Sequence, residues 1–395
     1  MLLKRTMTTG EVRGIVSALG YLPDGRRAPT TYSFTIFFIL YSINLSFGLQ
    51  HEWRNFKVRL EIIRNLVLLC NIQVYWLSVP DIYVLLDIYE RHRTRLLKMK
   101  YFKKLTRKFY SEMASLEDDS QHFVRAFVVV SFCYTCLPVL NALYAKLTVT
   151  SAGADFKDLP QVSYLHYPVN GGPVTLTQYV CGAVFLYTGN LAASLFSFCF
   201  LYASYLALRC VAAAFHQLTA LIALWDANVT QGQIHNDDLC LREIVLFHQQ
   251  ICRETRLLKK GIETATINLL QGCVVQLCLG LFSILEGGDK IKYGGFTCFV
   301  LLMLVGFSSF GQILEDRIGR VRVSIWDSDW VNRPYFTRKV LYTMMIGASA
   351  RLELRPYGLQ QLNMTSLANI LQLNPTCFDA TKDLWAAETE IYFNK

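Results

Sequence analysis

The fold class this sequence predicts is all-α, a polytopic membrane helical bundle. Three observations lead there: a shortage of charge, long runs free of ionised side chains, and basic residues gathered on one side of those runs. Of 395 residues, 53% are hydrophobic and only 17% are charged, and the mean hydropathy is positive. A soluble domain carries about 25% charge because its surface faces water, so much of this surface must face something apolar. The net charge of +9 raises the question of nucleic acid. The basic residues, however, sit between apolar blocks rather than along one stripe, which fits a basic membrane face and predicts no nucleic-acid partner.

A membrane helix needs about 20 predominantly apolar residues to cross roughly 30 Å of hydrocarbon. Five runs lack Asp, Glu, Lys and Arg at that length: 28–51, 126–145, 159–208, 264–285 and 293–314. A sixth, 65–80, is interrupted by Asp81 and resumes over Tyr83–Leu86. None alternates with the two-residue period of a strand. The reading is therefore one membrane domain, with spans at about 31–50, 66–86, 126–148, 179–208, 264–285 and 293–314. Around them lie a cytoplasmic N-terminus over 1–30, a cytoplasmic helical segment over 315–355, an incomplete seventh helix over 356–378 and a polar tail over 379–395.

Orientation follows from the Lys/Arg bias. With the N-terminus inside, the inner segments hold 29 basic residues (5 in 1–30, 10 in 82–125, 6 in 209–263, 8 in 315–355). The outer segments then hold 8, half of them Arg54, Lys57, Arg59 and Arg64. That asymmetry predicts a multi-pass membrane protein with a cytoplasmic N-terminus. The first thirty residues have no apolar core before a cleavage site, so no removable signal peptide is expected. Most of the twelve cysteines lie in apolar runs, where a free cysteine behaves as a small hydrophobe; this covers Cys133 and Cys136 despite their C-x-x-C spacing.

The inner connections read as helices. Leu241, Ile244, Val245, Ile251, Cys252 and Leu258 recur at helical spacing, with Arg253, Arg256 and Lys259 off the stripe. Val211–Trp225 continues the fourth span without a breaker. Such helices are too charged to enter lipid, so their apolar stripes predict a packed cytoplasmic layer below the bundle.

The stretch after the sixth span is the most diagnostic. It contains Gly311, Leu314, Ile318, Ser324, Trp326 and Trp330, then Pro334, the basic pair Arg338-Lys339, paired Met344-Met345, Gly358 and Thr365-Ser-Leu-Ala-Asn-Ile-Leu371. This resembles the C-terminal signature of insect odorant receptors: a Gly/Leu helix end, an aromatic four residues before a Trp, and a basic pair leading to paired Met. The aromatic block from Tyr164 to Leu208, opening Tyr-Leu-His-Tyr-Pro, is similar to that family's second outer loop and fourth helix. The resemblance covers about 160–371, and the N-terminal half by layout. The family usually has Tyr where Trp326 stands, Ser where Ile318 stands and Ala where Ser324 stands. Match stops near Leu373; Asn374-Pro375 and five charges between Asp379 and Glu390 follow, and 356–378 is rich in Asn and Gln. A charge at mid-bilayer costs about 2.5–3.5 kcal/mol. The expectation is a misjoined or alternative end, and a form that conducts poorly or not at all.

The resemblance implies a seven-helix tuning subunit of an odour-gated cation channel, a heterotetramer with an odorant co-receptor. It also implies that the last helix lines the pore, that cytoplasmic helices form subunit contacts, and that a small hydrophobic volatile binds in the outer half. By layout, Tyr75, Trp76, Tyr134, Asn141, Tyr144, Phe185, Tyr187, Phe296 and Phe299 fall on the outer halves of the pocket-forming helices. Each could equally pack helices or sit in an interfacial belt. Gly311, Leu314, Trp326, Trp330, Arg338, Met344 and Met345 are expected at subunit contacts. Asp81, a carboxylate within a span, reads as a functional group or as one half of an ion pair at the inner surface. His216 and His248 near apolar stripes read as core packing. No paired ligand spacing, phosphate loop or nucleophile elbow occurs, so no metal, cofactor or enzymatic activity is expected. Of three Asn-x-Ser/Thr sites, Asn44 falls in a span, and Asn228 and Asn363 fall inside. A gustatory receptor of the same superfamily is the nearest alternative, and a secondary transporter is a more distant one.

Overall fold

The computed structural model describes residues 9–18, 29–52, 55–98, 107–116, 165–167, 174–230, 237–285, 290–349 and 363–369, with isolated positions between them. All regular structure among these residues is helical. In chain order the helices are α1 (Thr9–Ala18), α2 (Pro29–His51), α3 (Phe56–Leu77), α4 (Val79–Lys98), α5 (Leu176–Thr230), α6 (Asp237–Leu285), α7 (Lys290–Trp326) and α8 (Tyr335–Ser349). The expected third span, 126–148, lies outside the described residues apart from the exposed, helical Val129, and so does the tail over 379–395.

Helix length is the first clue to architecture. At 1.5 Å per residue, the 55 residues of α5 run about 80 Å and the 49 of α6 about 75 Å, more than twice the hydrocarbon thickness. Each therefore serves two layers, with an apolar part in the membrane and an amphipathic part beyond it. Phe34–His51, Ser197–Thr230 and Tyr293–Trp326 are long and apolar enough to cross, and Leu270–Leu285 is a shorter apolar stretch on α6. On α2, Phe38, Tyr41 and Leu45 turn inward while Ile36, Ile39, Leu40, Ile43 and Phe47 stay exposed, as lipid contact requires.

The core is strung along α5. From Phe198 to Trp225 nearly every apolar side chain on the inner faces is buried, including Tyr202, Leu206, Val211, Phe215, Leu218, Ile222 and Trp225. Around it pack α4, α6 and α7. The stripe read on α6 is buried as spacing requires: Leu241, Ile244, Ile251, Cys252 and Leu258 turn inward, and Arg253 and Arg256 face out. His216 departs from its expected place in the core. It lies on the exposed side of α5 and accepts a hydrogen bond from Arg317 Nη1 at 3.0 Å, because the one-residue step from Phe215 turns it about 100° away from the packed face.

The run 66–86 is carried by two helices rather than one. Ser78 separates α3 from α4, and Pro80 explains the break: it lacks an amide donor and disfavours helical geometry at the residue before it. The charged stretch before that run is also helical from Phe56 on, so Lys57, Arg59 and Arg64 belong to α3. Midway along α4, Asp87 and Glu90 accept from Arg13 of α1 at 2.6 Å and 3.1 Å, pinning the N-terminal helix to the bundle. Residues 364–369 form a helical turn capped by Asn363, whose Oδ1 accepts from the Ser366 amide at 2.8 Å, and Leu367 is buried in the core.

Candidate functional site

One end of the bundle carries the ends of α2, α5, α6 and α7 and the short chain segment 165–167. That segment is a strap. Asn44 of α2 clasps the backbone of His166 from both sides, Nδ2 donating to its carbonyl at 2.8 Å and Oδ1 accepting from its amide at 3.0 Å. The His166 ring lies 5.0 Å from that of His51. On the α5 side, Leu165 and Tyr167 press on Gly182, where a Cβ would stand 2.5 Å from Leu165 Cδ2 and 2.8 Å from the Tyr167 hydroxyl. Asn44 is thus a loop anchor, a use of a mid-span amide that engages both of its polar atoms.

Beneath the strap is an aromatic cluster. Phe37 of α2 sits 4.7 Å from Phe185 of α5, with Tyr41 stacked at 6.0 Å and Phe38 edge-on at 5.7 Å. Gly189, one turn from Phe185, lets the Phe37 ring lie against the α5 backbone, where a Cβ would come within 1.7 Å of Phe37 Cζ. Tyr187 points away and is 37% exposed. Phe296, on α7, is buried and faces the Arg64 guanidinium at 5.7 Å from its ring centroid. Tyr75, Trp76 and Phe299 lie on described helices, but their side chains, and Tyr134, Asn141 and Tyr144 altogether, lie outside the described residues.

The opposite end is polar and differently built. There Asp226 of α5 accepts from Arg333 at 2.8 Å, and the guanidinium lies over the buried Trp225 ring at 5.5 Å, fastening the α7–α8 connection to the end of α5. The residues expected at subunit contacts divide in two. Gly311, Leu314 and Met344 are buried within the chain, Trp330 and Met345 are half-buried, and Trp326, at 67%, and Arg338 are exposed. Val323 near the end of α7 and Tyr335, Phe336, Tyr342 and Ile346 on α8 are exposed as well, large apolar side chains of the kind that mark an interaction surface.

Between the ends, the polar layer is buried and close-knit. His92 of α4 donates from Nε2 to Gln217 Oε1 of α5 at 3.0 Å; Gln250 of α6 donates to Glu254 at 2.6 Å and accepts from Arg95. Glu254 stands 4.0 Å from His92 Nδ1. Burial pushes the His92 pKa down to about 4, which keeps its ring neutral, and raises that of Glu254, with the Gln250 hydrogen bond and Arg91 and Arg95 opposing the rise. His248 is buried as expected and also pushed down to about 4, with Cys252 Sγ at 3.5 Å. A cleft of about 570 Å³ opens beside this layer, lined among others by Glu90, Arg91, Arg95 and Glu243, whose charges balance. Asp81 packs at Gly261 of α6, where a Cβ would stand 3.8 Å from its own, and Arg91 and Arg93 turn instead to the Asp87 carbonyl and the Tyr110 hydroxyl. No group of three or more metal-ligating side chains occurs among the described residues.

Helices that outrun the bilayer, lipid-facing apolar sides and a buried polar layer beyond them define a polytopic membrane protein. The chain belongs to the family described as 7tm Odorant receptor, which matches residues 60–374. The match begins a hundred residues before the stretch whose motif residues are legible by eye. In fold the chain is similar to the insect olfactory receptor OR5 from Machilis hrabei in complex with eugenol (TM-score 0.75, 11% identity, 95% of this chain and 97% of that one). It is also similar to the same receptor in a second structure (TM-score 0.63, 13% identity, 94% and 96%). No curated protein matches the chain.

Sequence reading missed Arg64, Asn65 and Gln276, which are all buried where α3, α6 and α7 meet. Arg64 counts as a loop charge when 52–64 is read as a connection. The signal that finds it is Glu61 three residues earlier, a helical i,i+3 pair.

Proposed function

We propose that this chain is the tuning subunit of an odour-gated cation channel, binding a small hydrophobic volatile at the strapped end of the bundle and assembling with a co-receptor in a heterotetramer. In this reading the strapped end faces outside, the N-terminus is cytoplasmic, and the membrane is the plasma membrane of a sensory neuron dendrite. The observation that carries it is the family membership, joined to an apolar, aromatic end closed by the 165–167 strap. A volatile ligand needs such walls with few polar handles, and the related receptor of similar fold holds eugenol. The nine residues from Tyr75 to Phe299 remain the proposed ligand contacts. The exposed face of Trp326, Tyr335, Phe336, Tyr342 and Ile346, with Arg338, is the proposed subunit contact, because an apolar face beyond the lipid must be covered by protein.

Gating follows from differential affinity. Ligand opens the pore only to the extent that it binds the open arrangement more tightly than the closed one. The test is current in cells expressing this chain with the odorant co-receptor and exposed to a panel of volatiles. Current that requires both chains supports the reading. Current from this chain alone would favour a homomeric gustatory-type channel.

A further inference from the structure

Where α3, α6 and α7 meet, at the strapped end, several buried polar groups have no hydrogen-bond partner among the described residues. Arg64 is 2% exposed, and neither Nη1 nor Nη2 donates a hydrogen bond there. Its guanidinium lies over the rings of Tyr293 at 4.7 Å and Phe296 at 5.7 Å, with the Glu61 carboxylate 3.6 Å from Nη2, beyond hydrogen-bond reach. Gln276 of α6 donates from Nε2 to the Arg64 carbonyl at 3.0 Å, which leaves its Oε1 unpartnered. Asn65 Nδ2 and Thr297 Oγ1 are likewise buried and unpartnered, and Gly280 opposite Thr297 keeps the helices close: a Cβ there would come within 2.5 Å of that hydroxyl.

Each such orphan has given up its hydration without replacement, and buried polar groups are nearly always satisfied. The balance of the cluster decides what satisfies it. Donors outnumber acceptors, so the occupant brings an acceptor oxygen. Glu61 already offsets the guanidinium charge, so a second carboxylate would meet repulsion. Tyr293 and Phe296 supply apolar walls. We infer that the α3–α6–α7 junction around Arg64 is a recognition site for the oxygen of a neutral carbonyl-bearing ligand, a ketone, aldehyde or ester, held by Arg64 with the Thr297 hydroxyl beside it. The inference rests on the reading of this chain as a receptor for a small volatile and names that volatile's class. A site built to hydrogen-bond one group rejects the analogue lacking it.

The test uses the full chain with the co-receptor and four probes of one length: 2-heptanone, 2-heptanol, heptane and heptanoate. Two readouts run in parallel: current in cells, and thermal unfolding of the purified complex in lipid nanodiscs. The wild type should respond to 2-heptanone at concentrations at least tenfold below those needed for heptane or heptanoate, with 2-heptanol between. Arg64→Met should raise the 2-heptanone concentration about ten- to hundred-fold and leave heptane unchanged. Thr297→Val, a near-isosteric change that keeps the fold if Arg64→Met does not, should raise it several-fold. Equal potency of 2-heptanone and heptane overturns the site and assigns the junction to structural water. Preference for heptanoate overturns the neutral class. A stabilisation by 2-heptanone that both variants abolish, without any current, upholds the site and sinks the channel reading; no stabilisation by 2-heptanone sinks the site itself.

Discussion

Gly189 and His92 show how single positions hold this structure. At Gly189 the Phe37 ring occupies the space a methyl group would need, so Gly189→Ala forces α2 and α5 apart or the ring out of its aromatic cluster. Overpacking of this kind costs about 1–3 kcal/mol. The variant should unfold at a lower temperature in detergent and respond more weakly to odorants; an unchanged transition would show that the ring is free to move. His92 makes a different prediction. Its pKa is about 4 in the folded chain against 6.5 when exposed. The unfolded chain therefore binds the proton more readily between those values, and stability falls as pH drops from 6.5 to 4. His248 acts with the same sign. Glu254, raised from 4.5, acts oppositely: its contribution is present below that value and is lost as pH rises through the folded one. Comparing wild type with His92→Gln isolates one group, and the acid-side loss should shrink by up to about 3 kcal/mol. Identical pH profiles would exclude a buried neutral His92.

At the scale of elements, the joints carry more information than the rods. Pro80 divides a run that hydropathy treats as continuous, and the two halves then do separate work: α3 brings Arg64 into the strapped end, while α4 brings His92 and Asp87 into the layer beyond. The α7–α8 joint hangs on Asp226, which accepts from both the Arg333 guanidinium and the Asp329 amide. Arg333→Ala removes the guanidinium from over Trp225 and leaves Asp226 partly unpaired, a loss of about 1–3 kcal/mol for a charged, half-buried group. Its expected effect is faster amide exchange over 327–349 with the membrane part of α7 unchanged. Equal protection of wild type and variant would show that packing alone fixes the joint. Helix type and rough extent were legible for α2, α5, α6 and α7, because a helix crossing lipid is what keeps more than about 20 consecutive residues free of charge. The start of α3 was not, since helical charged residues at a membrane edge have the same composition as a loop.

At the scale of the whole molecule, the chain presents two kinds of apolar surface. One, on α2, lies on a candidate crossing helix and suits lipid; the other, from Val323 to Ile346, follows the charged stretch Glu315–Arg322 at the end of α7 and suits protein. Replacing Trp326 and Phe336 by Glu should leave the chain folded, since both are largely exposed, and reduce co-purification with the co-receptor several-fold. Undiminished co-purification would move the contact elsewhere. Glycan on Asn228, at the end opposite the strap, would reverse the proposed orientation. The sequence by itself determined the membrane class, the helical architecture and the family resemblance, because these depend on sums over many residues: absence of charge, helical period, and the side on which basic residues collect. Only tertiary structure decided which polar groups meet. Arg64 and Gln276 are 212 positions apart, His92 and Gln217 are 125 apart, and nothing local in either partner names the other. Burial and pairing are properties of helices packed together, so the sites they form become visible only after the chain has closed on itself.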